Sequence, residues 1–159
     1  MEMWELVVRE SVRDVIARYN AYGDSGRMNE LLALFAEDAL MDMDGQVFEG
    51  RQAIADGFIS AGRDFVTYSK KTNAPRDLPV LRHYTATHVI EAVTPTSATS
   101  SSYFLTFLHH GPDHWGSYHD EFQEIDGRWQ IQRRRVVVEG ATKGSMGAEQ
   151  FARTGKGGY

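Results

Sequence analysis

Val8, Val12, Val15, Ile16 and Tyr19 recur at helical spacing between charged side chains, which lays one apolar stripe along a helix. The pattern predicts an amphipathic helix ending near Tyr22, where Gly23-Asp24-Ser25-Gly26 stops it. Leu31, Leu34 and Phe35 predict a shorter helix from about Met28 to Ala36, packed on the first as a helical hairpin. Leu40, Met41 and Met43 then lead into Asp44-Gly45, a strong hairpin-turn pair, followed by Gln46-Val47-Phe48-Glu49, so a two-stranded ribbon is expected. After Gly50, the positions Ile54, Phe58 and Ile59 predict a third helix of about three turns ending near Gly62. From Arg63 to Pro79 the period is lost, and Lys70, Lys71, Asn73, Pro75 and Pro79 predict a long surface loop of the kind that often borders a site.

The second half changes character. Val80 to Val93, Ala98 to His109, Trp115 to Ile125 and Arg128 to Val138 are strand-like runs rich in Val, Tyr, Phe, Thr and Trp. Thr94-Pro95-Thr96, Gly111-Pro112-Asp113 and Asp126-Gly127 separate them as turns, which predicts an antiparallel meander. From Ala141 onward, glycines and lysines among few apolar residues predict a flexible tail over 141–159, whose Phe151 and Tyr159 would serve as a lid on a pocket mouth. Helices first and antiparallel strands second is an α+β layout: the sheet needs its inner face covered, and three short helices cover only part of it. The expected architecture is a cone-shaped curved antiparallel sheet with three helices from the N-terminal half enclosing a pocket, as a single domain over residues 1–140.

A chain of 159 residues supports one such core, and its 42% hydrophobic and 25% charged residues are ordinary for a globular protein. Its formal charge of -5 supplies no basic field for a polyanion, apart from the local cluster Arg133, Arg134 and Arg135, so no nucleic-acid partner is expected. Cysteine is absent, which removes disulfides and thiolate chemistry and fits a reducing compartment. No apolar run is long enough for a membrane span and the first residues carry no signal-peptide pattern, so a cytoplasmic protein is expected.

Tyr22-Gly23-Asp24 after the first helix, Arg82-His83 opening the third strand, and Gly116-Ser117-Tyr118-His119-Asp120 before Asp126-Gly127-Arg128-Trp129 carry a family resemblance over roughly residues 8–140. In these motifs and in element order the chain resembles the SnoaL-like branch of the nuclear transport factor fold, which includes scytalone dehydratase, bile-acid dehydratase and hexachlorocyclohexane dehydrochlorinase. The resemblance implies that Asp24 orients His83, which removes a proton, and that no metal or nucleotide cofactor is used. Gly23, Met43 and Ser102 stand where scytalone dehydratase has tyrosine, tyrosine and histidine, which argues against the same substrate.

The chemistry of the pair is sound on its own terms. An imidazole, with an unperturbed pKa of about 6.5, accepts a proton at neutral pH, and a carboxylate on its far nitrogen fixes the tautomer and stabilises the imidazolium. The bland alternative is that Asp24 caps a turn and His83 is a packed strand residue. Tyr118 shares a strand face with Gly116, Asp120 and Phe122; its phenol either hydrogen-bonds a substrate oxygen or simply sits at the core edge. Tyr19, Tyr22, Phe58, Tyr103 and Asp120 complete the expected substrate-binding set. Strict alternation puts Arg133 and Arg135 on one face with Trp129 and Ile131, and Arg134 on the other with Gln132 and Val136. Arg135 is expected inward as a catalytic cation with Arg133 lining the substrate, although one bulge would reverse that parity, and solvated or interface-paired arginines are the alternative. His109, His110, His114 and His119 with Asp113 and Asp120 surround a turn without metal-ligand spacing, and Gly155-Lys156-Gly157-Gly158 lacks the strand and helix of a phosphate loop.

The expected function is a cofactor-independent lyase, such as a dehydratase, acting on a small hydrophobic and aromatic or polycyclic molecule. Alternatives are an isomerase of the ketosteroid isomerase type, or a non-catalytic ligand-binding protein or small subunit of a ring-hydroxylating dioxygenase. Exposed aromatic and β-branched residues on the sheet's outer face predict a homodimer or homotrimer.

Overall fold

The computed structural model describes residues 1–74 and 81–154. The first helix, α1 (Met3–Asp24), buries the predicted stripe of Val8, Val12, Val15, Ile16 and Tyr19. It ends at Asp24, and Gly26 turns the chain with a positive φ of 68° into α2 (Met28–Ala33). Strand β1 (Phe35–Met43) therefore begins inside the segment expected to finish the second helix, and Phe35, Ala36, Ala39 and Met41 are buried along it. Asp44 and Gly45 take positive φ values of 56° and 98°, the twin left-handed geometry of a tight hairpin turn, and lead to β2 (Gln46–Glu49).

The third helix, α3 (Gly50–Lys71), runs well past Gly62, which corrects the expected loop from Arg63. The reason is that Ile54, Phe58, Ala61, Phe65 and Tyr68 hold a helical spacing, and Gly62 merely faces open space on the exposed side. Pro75, Pro79 and Val80, also assigned to that loop and the next strand, lie outside the described residues.

Strands β3 (Arg82–Val93), β4 (Ser97–Leu108), β5 (Gly111–Ile125) and β6 (Arg128–Ala141) form the expected meander, with Asp126-Gly127 as a second positive-φ hairpin turn. The sheet order is β2-β1-β6-β5-β4-β3. All pairings are antiparallel except β1 with β6, so the sheet is mixed rather than purely antiparallel. The chain leaves β2 at one edge, crosses through α3 and enters β3 at the other edge. Register shifts interrupt β3–β4, β4–β5 and β5–β6, and such bulges bend and twist strands, which keeps this sheet curved and unclosed. One of them brings the Val137 carbonyl so close to Gly116 that a Cβ there would lie 1.9 Å from its oxygen. Only glycine fits that crossing of β5 and β6.

α1 and α3 cover the inner face, and the core lies between them and the strands, with Phe35, Ile54, Phe104, Phe122 and Ile131 at its centre. Each such side chain contributes on the order of 1.5–3 kcal/mol by leaving water. A smaller cluster joins Tyr68 of α3, Leu108 of β4 and Met146. Met146 opens α4 (Met146–Thr154), so the segment expected to be a flexible tail contains a packed helix. Its first turn is fastened by Asp113, as the Met146 and Gly147 amides donate to that carboxylate at 3.0 and 2.9 Å. Phe151 is half-buried on α4, and Tyr159 lies outside the described residues.

Candidate active site

The end of α1 and the start of β3 bring Asp24 and His83 together. Asp24 Oδ1 lies 2.6 Å from His83 Nδ1, and Asp24 Oδ2 accepts the His83 backbone N–H at 3.0 Å. One carboxylate thus grips both the ring and the backbone of the same residue, fixing the imidazole's tilt and leaving Nε2 free of that carboxylate. The carboxylate side chain is 11% exposed and the imidazole 24%, so the pair is sheltered without being sealed. His83 pairs across the sheet with Thr106, which is fully buried, so its ring belongs to the inner face; Arg82 and Tyr84 on either side are exposed.

Moving down that face from the pair, Phe104 stacks on Tyr118 with ring centroids 4.6 Å apart, and Tyr19 of α1 meets Tyr118 edge-on at 6.1 Å. Phe58 of α3 packs against Tyr19 and Phe35. Burial raises Tyr118 well above the usual phenol range, and the nearby charges of Asp120 and Asp24 add to that, so this phenol stays a neutral hydrogen-bond donor. Tyr19 is raised too, first by burial.

Arg134 is the cation on this face. It is fully buried and makes a two-pronged ion pair with Asp120, Nε to Oδ1 at 2.7 Å and Nη2 to Oδ2 at 2.8 Å. Its guanidinium lies 3.8 Å from the Tyr19 ring centroid and 4.4 Å from that of Tyr118. Burial alone would pull its pKa down, but the Asp120 carboxylate and the two phenols more than offset that, so the group remains charged. Among the described residues, Arg134 Nη1, Ser102 Oγ and Asn20 Oδ1 are buried without a hydrogen-bond partner. Arg134, Ser102 and Tyr118 come from the sheet and Asn20 from α1, where it bonds Thr85, two residues beyond His83. Unpaired buried polar atoms carry a cost of about 1–3 kcal/mol each, and a polar ligand group would relieve it.

The arginine assignment from alternation is corrected. Glu121 pairs with Arg133 but Phe122 pairs with Ile131, so Gln132 is an extra residue in β6. That bulge flips the parity: Ile131 and Arg134 both point inward, while Arg133 and Arg135 are exposed on the outer face, Arg135 Nε lying 3.9 Å from Asp42. Tyr103 is likewise corrected, being 57% exposed because Ser102 and Phe104 take the inward positions beside it. Tyr22 turns to an outer groove of about 440 Å³ between α1, α2 and the start of β6, where Arg27 stacks on its ring at 4.4 Å. Asp24, His83, Tyr118, Tyr19, Phe58 and Asp120 do converge on the inner face.

Of the histidines around the β4–β5 turn, His114 and His110 contact Asp113, and His119 faces Ser117 at 3.3 Å. Among the described residues no group of three or more His, Cys, Asp or Glu is arranged to hold a metal ion, and no helix is long and apolar enough to cross a membrane.

An open curved sheet covered by helices, with a carboxylate-held imidazole on its inner face, defines an α+β cone. A family model described as SnoaL-like domain matches residues 4–135, and the chain belongs to that family. No curated protein matches it. Among solved structures, a provisionally assigned scytalone dehydratase from Novosphingobium aromaticivorans is 23% identical with a TM-score of 0.74, covering 89% of this chain and 91% of the other. A hexachlorocyclohexane dehydrochlorinase is 16% identical with a TM-score of 0.66, over 89% and 92%. The beta subunit of a provisionally assigned aromatic-ring-hydroxylating dioxygenase from N. aromaticivorans is 18% identical with a TM-score of 0.66, over 86% and 92%. At these identities the likeness is one of fold.

Proposed function

We propose that the protein is a cofactor-independent lyase, which eliminates water or another small leaving group from a small, mostly apolar substrate held on the inner face of the sheet. The observation that carries this reading is the double grip of Asp24 on His83, ring nitrogen and backbone amide at once. A packed strand histidine has no need of two contacts from one carboxylate, whereas a general base needs its tautomer and direction fixed. His83 Nε2 takes the proton, and Asp24 stabilises the imidazolium that forms. Tyr118 and the unpaired Nη1 of Arg134 then steady negative charge developing on oxygen. The family membership and the dehydratase and dehydrochlorinase neighbours support this class of reaction.

The test is a screen of aromatic and polycyclic alcohols for loss of water, followed by a pH profile on the best substrate. Turnover should fall toward acid pH, since only a neutral imidazole accepts a proton, and chelators should leave it unchanged. A rate that is flat into acid, or that chelators abolish, would remove the reading.

The outer face of the sheet exposes Tyr84, Tyr103 and Trp115. We propose that copies of the chain cover this apolar surface in a homodimer or homotrimer. Light scattering at micromolar concentration should give a mass two or three times that of the chain; a monomer there would contradict the assignment.

A further inference from the structure

The inner face carries a second carboxylate–imidazole pair that the elimination as described does not use. Thr106 pairs with His114 while Phe107 pairs with Pro112, so Asp113 is an extra residue in β5, and the bulge lets Asp113 be buried next to an inward-facing His114. Asp113 has no solvent exposure. Its Oδ1 accepts from His114 Nδ1 at 2.6 Å and from the Gly147 amide at 2.9 Å, and its Oδ2 accepts from the Met146 amide at 3.0 Å with His110 Nε2 3.3 Å away. Burial pushes this carboxyl up, but His114 and the α4 amides more than offset that and hold it below the usual range, so it stays an anion. The carboxylate is thus met by two backbone amides of α4 and by the imidazoles of His110 and His114. Tyr68 of α3 lies within electrostatic reach of Asp113, and also of Lys71 and Glu149, which pair with each other at the surface.

The consequence lies at the other end of the His114 ring. With Nδ1 held by Asp113, Nε2 is turned to Thr106 Oγ1 at 3.3 Å. Thr106 in turn pairs directly with His83, whose own Nδ1 is held by Asp24. Two imidazoles therefore stand in one row, two strands apart and so roughly 10 Å apart at the backbone. Each has its tautomer fixed by a carboxylate and its Nε2 free of that carboxylate. An elimination calls for such a pair, because one group must take a proton from carbon and another must give one to the departing oxygen. Helix capping by Asp113 explains the Met146 and Gly147 bonds, but it explains neither the bond to His114 nor the placement of its Nε2 beside the His83 row.

We propose that His114, held by Asp113 and bonded to Thr106, is the proton donor to the leaving oxygen; the proposal rests on the elimination reading above. His83 Nε2 bonds to the hydrogen as the C–H electron pair becomes the second carbon–carbon bond. The C–O bond breaks with its pair on oxygen, which takes the Nε2 proton of protonated His114 and leaves as water. His83 ends protonated and His114 neutral, and proton exchange with solvent restores both.

The experiment compares the full chain with His114→Asn and His83→Ala on two versions of one substrate, the alcohol and its analogue with a halide in place of the hydroxyl. Asparagine keeps a donor toward Asp113 and so keeps α4 fastened, but it lacks Nε2. If His114→Asn lowers the melting temperature sharply, His114→Gln serves instead. The expected result for the alcohol is a loss of about 100-fold in kcat at similar KM. For the halide, which leaves without a proton, His114→Asn should stay within about threefold of wild type while His83→Ala stays inactive. Equal losses on both substrates, or alcohol turnover within about threefold of wild type, would overturn the assignment of His114. Activity retained by His83→Ala would instead bring down the elimination reading itself, so the two failures are distinct.

Discussion

Replacing Arg134 with alanine is expected to destabilise the protein by about 3–5 kcal/mol, because it strands the Asp120 carboxylate where no water reaches it. The side chain is also the cation on which the Tyr19 and Tyr118 rings pack, so their contacts are lost with it. For a chain of this length that corresponds to a fall in melting temperature of roughly 6–20 °C. Asp120→Ala should cost a similar amount by stranding the guanidinium instead. The informative variant is the double change Arg134→Met with Asp120→Leu, which removes both charges together and should recover much of the loss, since an apolar pair of similar volume avoids the desolvation penalty. Single variants melting within about 2 °C of wild type would contradict the reading of Arg134 and Asp120 as a mutually dependent buried pair.

Asp24→Asn is expected to leave stability nearly unchanged and to lower turnover by about 10²–10⁴. The amide oxygen can still accept the His83 backbone N–H that Asp24 now receives at 3.0 Å. The amide nitrogen would then face His83 Nδ1, now 2.6 Å from a carboxylate oxygen, and donate to it. That forces the ring proton onto Nε2, where it blocks the nitrogen that must accept. The variant thus keeps the geometry and inverts the tautomer, which separates a catalytic role for Asp24 from a merely structural one. Loss of folding with intact specific activity in the surviving fraction would favour the turn-capping role.

Helical periodicity and two Asp-Gly turns make most of the fold legible in the sequence. The stripe from Val8 to Tyr19 is buried as it stands in the sequence, and Asp44-Gly45 and Asp126-Gly127 adopt the positive φ angles that their residue types favour. What escaped was set by contacts distant in sequence. The parallel pairing of β1 with β6 leaves no local signature. The length of α3 is a different case, local in origin: Gly62 reads as a stop, although Phe65 and Tyr68 continue the apolar spacing beyond it. α4 is short and carries few apolar residues, and the contacts that dock it, Asp113 on its first amides and Met146 against Tyr68 and Leu108, come from β5, α3 and β4 and leave no local pattern.

The candidate site divides in the same way. Asp24 and His83 were recoverable from a shared motif, and the geometry puts them in contact. The inward arginine was not, since alternation fails across Gln132 and only the β5–β6 register reveals that Arg134, flanked by exposed Arg133 and Arg135, is the buried one. The bulge at Asp113 hid the second carboxylate–imidazole pair for the same reason. At both places an extra residue in a strand sets what faces the inner side.

The central claim is that His83 acts as a general base, and the most direct measurement is the turnover of His83→Ala on a substrate confirmed with the wild-type protein. The account predicts a loss of at least about 100-fold in kcat with substrate still bound, because proton transfer is removed while Tyr19, Phe58, Phe104 and Tyr118 still line the inner face. Turnover within about threefold of wild type would contradict it and leave the sheet's inner face as a binding surface only.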